Sequence, residues 1–238
     1  ARRVLIVTGR GSARRTGLLD RALAGLGERE AELFDRVEPN PSVATVESGA
    51  RAARDARAEW VVGLGGGSAM DAAKVIAALA ANSGRYRQEF GAERFERRPL
   101  PVTCVPTTCG TGSEANAYAI ITDSEAGPVG DKVNFSNEQT FPRWGLLDAS
   151  TLDALPTDIL VATSLDAFSH AFEGYTSRNA QPPASTLAIE AMSRVIRELP
   201  AAVAGDGLAR GSLLYASALA GVVIAHTRTT ILHAVGYY

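Results

Sequence analysis

Three histidines occur in the 238 residues, His170, His226 and His233, and the first stands four positions after a carboxylate, Asp166. On a helix, residues at that spacing leave the same face about one turn apart. Such a pair offers two ligands to one ion, and carboxylate plus imidazole suits Fe2+ or Zn2+. A bare Asp-x-x-x-His also describes an ordinary hydrogen bond along a helix. His226 and His233 lie seven residues apart, on roughly the same helical face, so spacing alone leaves both as a further ligand.

A second stretch with chemical potential runs from Trp60 to Lys74. The apolar run Trp60-Val61-Val62-Gly63-Leu64 meets Gly65-Gly66-Gly67, then Ser68 and an alanine-rich segment with helical spacing. Glycines let the backbone turn sharply and let a ligand approach without meeting a Cβ. Ser68 is expected as the N-cap, with the first free amides pointing toward the turn. Such a helix end attracts phosphate. The segment is neither G-x-G-x-x-G nor a P-loop, and a tight strand-to-helix turn without a ligand has the same composition. Asp71 biases the first helical turn favourably.

Three further groups sit in loops. Thr107, Thr108 and Thr111 supply hydroxyls between Pro106 and Gly112, either to a ligand or to their own backbone. Gly9-Arg10-Gly11-Ser12, followed by Arg14 and Arg15, is a basic loop without a carboxylate. A carboxylate near a ribose favours a free 2′-OH, whereas arginine accommodates a 2′-phosphate; an exposed basic loop is the plainer reading. Lys132 in Gly130-Asp131-Lys132 reads, by itself, as surface charge in a polar connection.

Taken in order, Gly65-Gly66-Gly67-Ser68-x-x-Asp71-x-x-Lys74, then Pro106-Thr107-Thr108-Cys109-Gly110-Thr111-Gly112-Ser113-Glu114, then Asp166-Ala167-Phe168-Ser169-His170-Ala171-Phe172-Glu173-Gly174-Tyr175 resemble the iron-containing (group III) alcohol dehydrogenases. That family has a dehydroquinate synthase-like superfold, and the resemblance covers nearly the whole chain. It implies that Gly66, Gly67 and Ser68 hold a pyrophosphate and that Thr107, Thr108, Thr111, Gly9, Ser12 and Leu147 contact the dinucleotide. It further implies that Lys132 reaches the ribose and that Asp71 lies beside the nicotinamide end. The metal ligands implied are Asp166, His170 and His233, with a fourth, in a His-Gly pair, expected beyond Tyr238. Gly9 stands where the family often carries Asp, and the loop is similar to that of NADPH-dependent aldehyde reductases; NADP(H) is therefore expected over NAD(H). Tyr237 stands where many members place a second histidine for proton transfer. With Asp71 it is the candidate catalytic residue, although a phenol is a different acid from imidazole.

These residues need elements to place them. Val4–Thr8 reads as a buried strand, 17–26 as a helix, Glu32–Val37 as a strand, and Ser42 as the cap of a helix running to Arg57. Trp60 begins a third strand. Leu100–Val105, Ala117–Thr122 and Trp144–Leu147 read as further strands. Strand alternating with helix predicts a parallel sheet covered on both faces, with ligands at the edge where the strands end. From Leu152 the pattern turns helical, over 157–178, 183–199 and 208–225, with a last helix from about Thr227. The expected fold class is α/β plus all-α: a dinucleotide-binding domain over 1–150 and a helical metal and substrate domain over 151–238. Against the family pattern, a short N-terminal piece and a larger C-terminal part are expected outside this chain.

Composition sets outer bounds. A hydrophobic content of 46% with 21% charged residues is ordinary for a globular chain, and a net charge of −2 gives no reason to expect nucleic acid or an anionic membrane. No bilayer-spanning run and no signal peptide are expected. Cys104 and Cys109 flank Pro106 without a disulfide framework, which points to a reducing cytoplasm. The expected activity is hydride transfer between NAD(P)H and a small aldehyde or primary alcohol, with Fe2+ or Zn2+ polarising the substrate oxygen, in a homodimer. The rival readings are dehydroquinate synthase-like or polyol-phosphate dehydrogenase chemistry on the same superfold, and a non-catalytic nucleotide-binding subunit.

Overall fold

The computed structural model describes residues 1–125 and 131–230. The chain forms two compact units, Ala1–Val105 with Ala117–Leu146, and Pro106–Asn116 with Leu147–Tyr238.

The first unit contains β1 (Arg3–Gly9), α1 (Ser12–Arg15), α2 (Leu18–Leu26), β2 (Glu30–Val37), α3 (Val43–Asp55), β3 (Trp60–Gly65), α4 (Gly67–Ala81), α5 (Tyr86–Glu89), β4 (Val102–Pro106), β5 (Ile120–Asp123), β6 (Asp131–Asn134) and β7 (Trp144–Gly145). Five strands form one sheet in the order β2-β1-β3-β4-β7, with β1–β2, β1–β3 and β4–β7 parallel. Strand β1 shows why its apolar run is continuous. Leu5 and Val7 enter one buried cluster with Phe34, Val61, Met70 and Ile76, while Val4 and Ile6 enter another with Leu18, Leu19 and Leu64. Successive side chains alternate between faces, and both faces are covered, as parallel sheets require.

Two strand readings change. The segment expected as a strand over Ala117–Thr122 yields β5, which pairs antiparallel with β6 in a separate two-stranded sheet. The expected strand Trp144–Leu147 shortens to two residues at the sheet edge. Ser42 does cap α3, its hydroxyl accepting from the Thr45 amide at 3.3 Å.

The second unit contributes α6 (Thr157–Thr176), α7 (Pro182–Val203) and α8 (Gly207–Thr227). Helix α7 starts on proline, whose missing N–H costs nothing in a first turn. It runs through Pro200, four residues past the expected end, because the lost backbone bond falls in its last turn and Ala202 is buried there. Asp206 caps α8, accepting from the amides of Leu208 and Ala209 at 2.8 and 3.0 Å. By length and composition α8 does reach the threshold for a bilayer-crossing helix, contrary to expectation, yet 56% of its most apolar window is buried. Its Leu213, Leu214, Ala216, Leu219, Ala220 and Val223 belong to clusters shared with α6 and α7. Burial among helices accounts for its hydropathy.

Candidate functional site

Helix α6 carries the acid–histidine pair. Asp166 Oδ1 lies 3.9 Å from His170 Nε2, and the histidine is 4% exposed. The other ring nitrogen, Nδ1, stands 3.2 Å from the carbonyl oxygen of Gly110. A carbonyl only accepts, so Nδ1 carries a proton, and in the neutral ring the lone pair is then on Nε2, the nitrogen on the Asp166 side. A histidine that ligates a metal ordinarily has this second partner, which fixes its tautomer and orientation. The donor chemistry therefore fits a divalent cation.

The 106–112 loop is pressed against α6 to make that contact. A Cβ on Gly110 would stand 2.7 Å from Thr163 O and 3.0 Å from Asp166 Oδ2, so only glycine lets the backbone approach this closely. Beside it, Cys109 Sγ is buried 3.3 Å from Ser164 Oγ and 3.5 Å from Thr163 Oγ1. Burial pushes its thiol pKa up, and these hydroxyls offset part of the rise. Both cysteines are buried, and they form no disulfide with each other. Thr151 Oγ1 donates to Pro106 O at 2.8 Å and ties down the start of the loop. Thr107 and Thr108 are half-buried, while Thr111 Oγ1 accepts from Ser113 N at 3.3 Å.

Among the described residues no group of three or more His, Cys, Asp or Glu side chains converges as a metal site. His233 and Tyr237 lie outside the described residues. The rival, His226, is exposed near the end of α8. The helix ends at Thr227 and Arg228 takes φ of 62°; the face expected to be shared by His226 and His233 falls partly outside the described residues. A left-handed residue turns the chain away from the helix axis.

In the first unit, the glycine turn joins β3 to α4. Gly65 has φ of 155°, and a Cβ there would fall 2.7 Å from Ala69 Cβ, so the turn requires glycine. The N-cap is Gly66, not Ser68. Ser68 is the second helical residue, and its Oγ accepts from Asn40 N at 3.2 Å, fastening the Pro39-Asn40-Pro41 turn beside it. Ala69 N and Met70 N both return to Gly66 O, at 3.1 and 3.2 Å. The Gly67 and Ser68 amides have no acceptor earlier in the helix and remain as anion donors.

The remaining expected residues are dispersed over both units. Asp71 Oδ2 accepts from Ile120 N at 2.9 Å, joining α4 to β5. Gly9 ends β1, where a Cβ would lie 3.6 Å from Val37 O, ordinary contact distance; nothing in the backbone demands glycine there. Ser12 opens α1 and is exposed. Arg14 pairs with Asp35 at 3.2 Å on the surface. Lys132 stands in β6 opposite Thr122, in a strand and not in a polar connection. Leu147, 39% exposed, follows β7 in the second unit.

Residues with no expected role also stand out. Lys74 is 1% exposed and donates to Tyr118 O at 2.8 Å. Glu173 is 2% exposed and receives both the amide and the hydroxyl of Thr230. Its spacing of seven from Asp166 placed it on the same face of α6 as Asp166 and His170, and that signal was available in the sequence. The backbone carbonyl of Gly110 left no such signal.

Residues 1–149 match the family described as iron-containing alcohol dehydrogenase, and residues 160–238 match the C-terminal part of the Fe-containing alcohol dehydrogenase family. The chain is 33% identical to the NAD-dependent methanol dehydrogenase of Bacillus methanolicus, over 100% of this chain and 62% of that protein. It is 29% identical to the NADPH-dependent butanol dehydrogenase of Clostridium saccharobutylicum, over 99% of this chain and 61% of that protein. The crystal structure of an iron-containing alcohol dehydrogenase from Thermotoga maritima superposes with a TM-score of 0.92 at 41% identity, covering 100% of this chain and 65% of that one. The chain thus spans about three-fifths of the length of the relatives it matches.

Proposed function

The chain belongs to the iron-containing alcohol dehydrogenase family, and on that premise we propose that it acts as a metal-dependent NAD(P)H oxidoreductase on small aldehydes and primary alcohols. The observation that carries the reading is the Asp166–His170 pair with the Gly110 carbonyl behind the imidazole. When bound, the metal supplies Lewis acidity toward a substrate oxygen and the dinucleotide supplies or accepts the hydride. Asp166 and His170 hold the cation together with His233, and the Nδ1 proton keeps the His170 ring in the ligating tautomer. The Gly67 and Ser68 amides of the first unit are the proposed pyrophosphate donors, and in the second unit Thr107, Thr108 and Thr111 are the proposed dinucleotide contacts. In this reading residues 1–150 serve the dinucleotide and 151–238 the metal. Asp71 and Tyr237 are the proposed catalytic residues.

NADP(H) is the proposed dinucleotide. Relatives of both kinds exist, one named NAD-dependent and one NADPH-dependent. The support lies in Gly9, where a Cβ would meet only ordinary contact and no carboxylate is present, and in the neighbouring Arg10 and Arg15. A homodimer in a reducing cytoplasm belongs to the same proposal. The test is a full-chain assay with Fe2+ or Zn2+, each dinucleotide and a panel of aldehydes. Turnover with NADPH exceeding that with NADH is the expected result. Absence of both dinucleotide binding and hydride transfer would refute the assignment.

A further inference from the structure

The loop that carries Gly110 lies across two helices of the second unit. On α6 it is held by Cys109 Sγ beside Ser164 and by the Gly110 carbonyl at His170. Two residues after Gly110 it meets α8. Gly112, with φ of 58°, is buried against Ser217 and Gly221, which stand one turn apart on that helix. A Cβ on Gly112 would lie 2.5 Å from Gly221 Cα and 2.6 Å from Ser217 O. A Cβ on Gly221 would collide with Gly112 O and lie 2.8 Å from Gly112 Cα. Backbone therefore rests on backbone, an approach that a pair of glycines permits. The turn that follows is closed on itself: Gly112 O accepts from Ala115 N and from Asn116 Nδ2, each at 2.9 Å.

We propose that Gly221 is a positioning residue for His170: by letting the Gly112 backbone settle onto α8, it sets the height of the loop and keeps the Gly110 carbonyl within bonding reach of Nδ1. Helix α8 thereby governs which nitrogen of a histidine on α6 presents a lone pair. The consequence for a cation rests on the proposed metal reading; the tautomer itself does not. Gly110 and Gly112 are at most about 7 Å apart along the chain, so neither moves far without the other. The methyl group of Gly221→Ala would have to open the contact by about 1 Å to reach ordinary van der Waals separation. The distance from His170 Nδ1 to Gly110 O, 3.2 Å, already stands at the long end of hydrogen bonding, and by about 3.6 Å no bond remains. Less than half of that opening, passed along the loop, suffices to release Nδ1. Close-packed interiors transmit such shifts, and Thr151 fixes the loop's start at Pro106, so the displacement falls on the residues between.

The test uses the full chain with isotope-labelled histidine at about pH 8, above the ordinary imidazole range. Long-range proton–nitrogen spectra tell a protonated Nδ1 from a protonated Nε2, and His170→Asn identifies the His170 signals. Cys109 alkylation is followed by peptide mass spectrometry, with Cys104 in the first unit as internal reference, and Co2+ affinity is read from the d–d absorption. Gly221→Ala is expected to lose the pure Nδ1–H form and to speed alkylation of Cys109 relative to Cys104. It should weaken Co2+ binding about ten- to a hundredfold, as loss of an outer-shell partner does. Ala188→Val overpacks the cluster that α7 shares with α6 and α8; it should lower Tm and leave all of these readings at parental values. Where Gly221→Ala does not fold, Asn116→Ala, which removes a bond to Gly112 O and adds no bulk, should shift the tautomer in the same direction by a smaller amount. A parental tautomer in whichever of these two variants is read overturns the proposal, since α8 has then yielded in place of the loop. A shift in Ala188→Val as large as in Gly221→Ala overturns it too, by reducing the effect to general loosening. A parent chain that shows the tautomer response but binds no Co2+ refutes the metal reading and leaves the role of Gly221 standing.

Discussion

Gly9 and Gly110 are glycines for opposite reasons. At Gly110 a methyl group would collide with the Thr163 carbonyl at 2.7 Å, so the residue is dictated by packing. At Gly9 a Cβ would sit at ordinary contact distance, 3.6 Å from Val37 O, so packing does not dictate glycine there. Gly110→Ala is expected to cost about 1–3 kcal/mol, the range for overpacking a tight contact. It should also weaken metal binding by moving the carbonyl that holds His170, and thermal unfolding with and without metal reads both effects. Gly9→Asp should leave stability nearly unchanged and turn the coenzyme preference toward NADH. A carboxylate beside a 2′-phosphate costs on the order of 1.4 kcal/mol, about tenfold in the NADPH-to-NADH ratio of kcat/KM. An unchanged ratio would show that Gly9 does not face the ribose. Both arguments needed coordinates, because a sequence records that a residue is glycine and not what a Cβ would meet.

Among the elements, α3 is the clearest case of a helix start secured by more than its cap. Ser42 caps it, and Glu38 accepts from Ser42 N at 2.9 Å, Ser42 Oγ at 2.8 Å and Thr45 Oγ1 at 2.8 Å. Burial raises the Glu38 pKa, but these hydrogen bonds together outweigh it, and the carboxyl titrates below its ordinary value of 4.5. A depressed folded-state pKa contributes stability that is complete above the unfolded value and disappears as pH falls through the folded one. Glu38→Gln should therefore lower Tm at pH 7. The gap from the parent should narrow below pH 4.5, and a gap independent of pH would exclude the carboxylate as its source. Ser42 was legible as a cap from its place after Pro39-Asn40-Pro41. Ser68 was not, since Gly66 in extended conformation took the cap position and the serine hydroxyl turned to Asn40 instead. Side chain–backbone competition of this kind is settled by neighbours distant in sequence.

For the whole molecule the expected division of labour is chemical. Chelation of the metal should abolish hydride transfer while dinucleotide binding persists, because the glycine turn lies in the first unit and the Asp166–His170 pair in the second. Titrating Co2+ or Zn2+ back while following NADPH oxidation and NADPH fluorescence separates the two; loss of both together would contradict the assignment. The alternation of strand and helix, the Ala-rich helix after three glycines, and the i, i+4 spacing of Asp166 and His170 are local patterns, and they sufficed for the fold class, the turn and the proximity of Asp166 to His170. Strand membership of 117–122 and 144–147 was not local: pairing depends on which edge is free, and β5 found β6 instead of the main sheet. The Gly110 carbonyl behind His170 and the Glu173 carboxylate on Thr230 join residues 60 and 57 positions apart. Periodicity reports only the face that a residue occupies; what meets that face is decided when the chain packs.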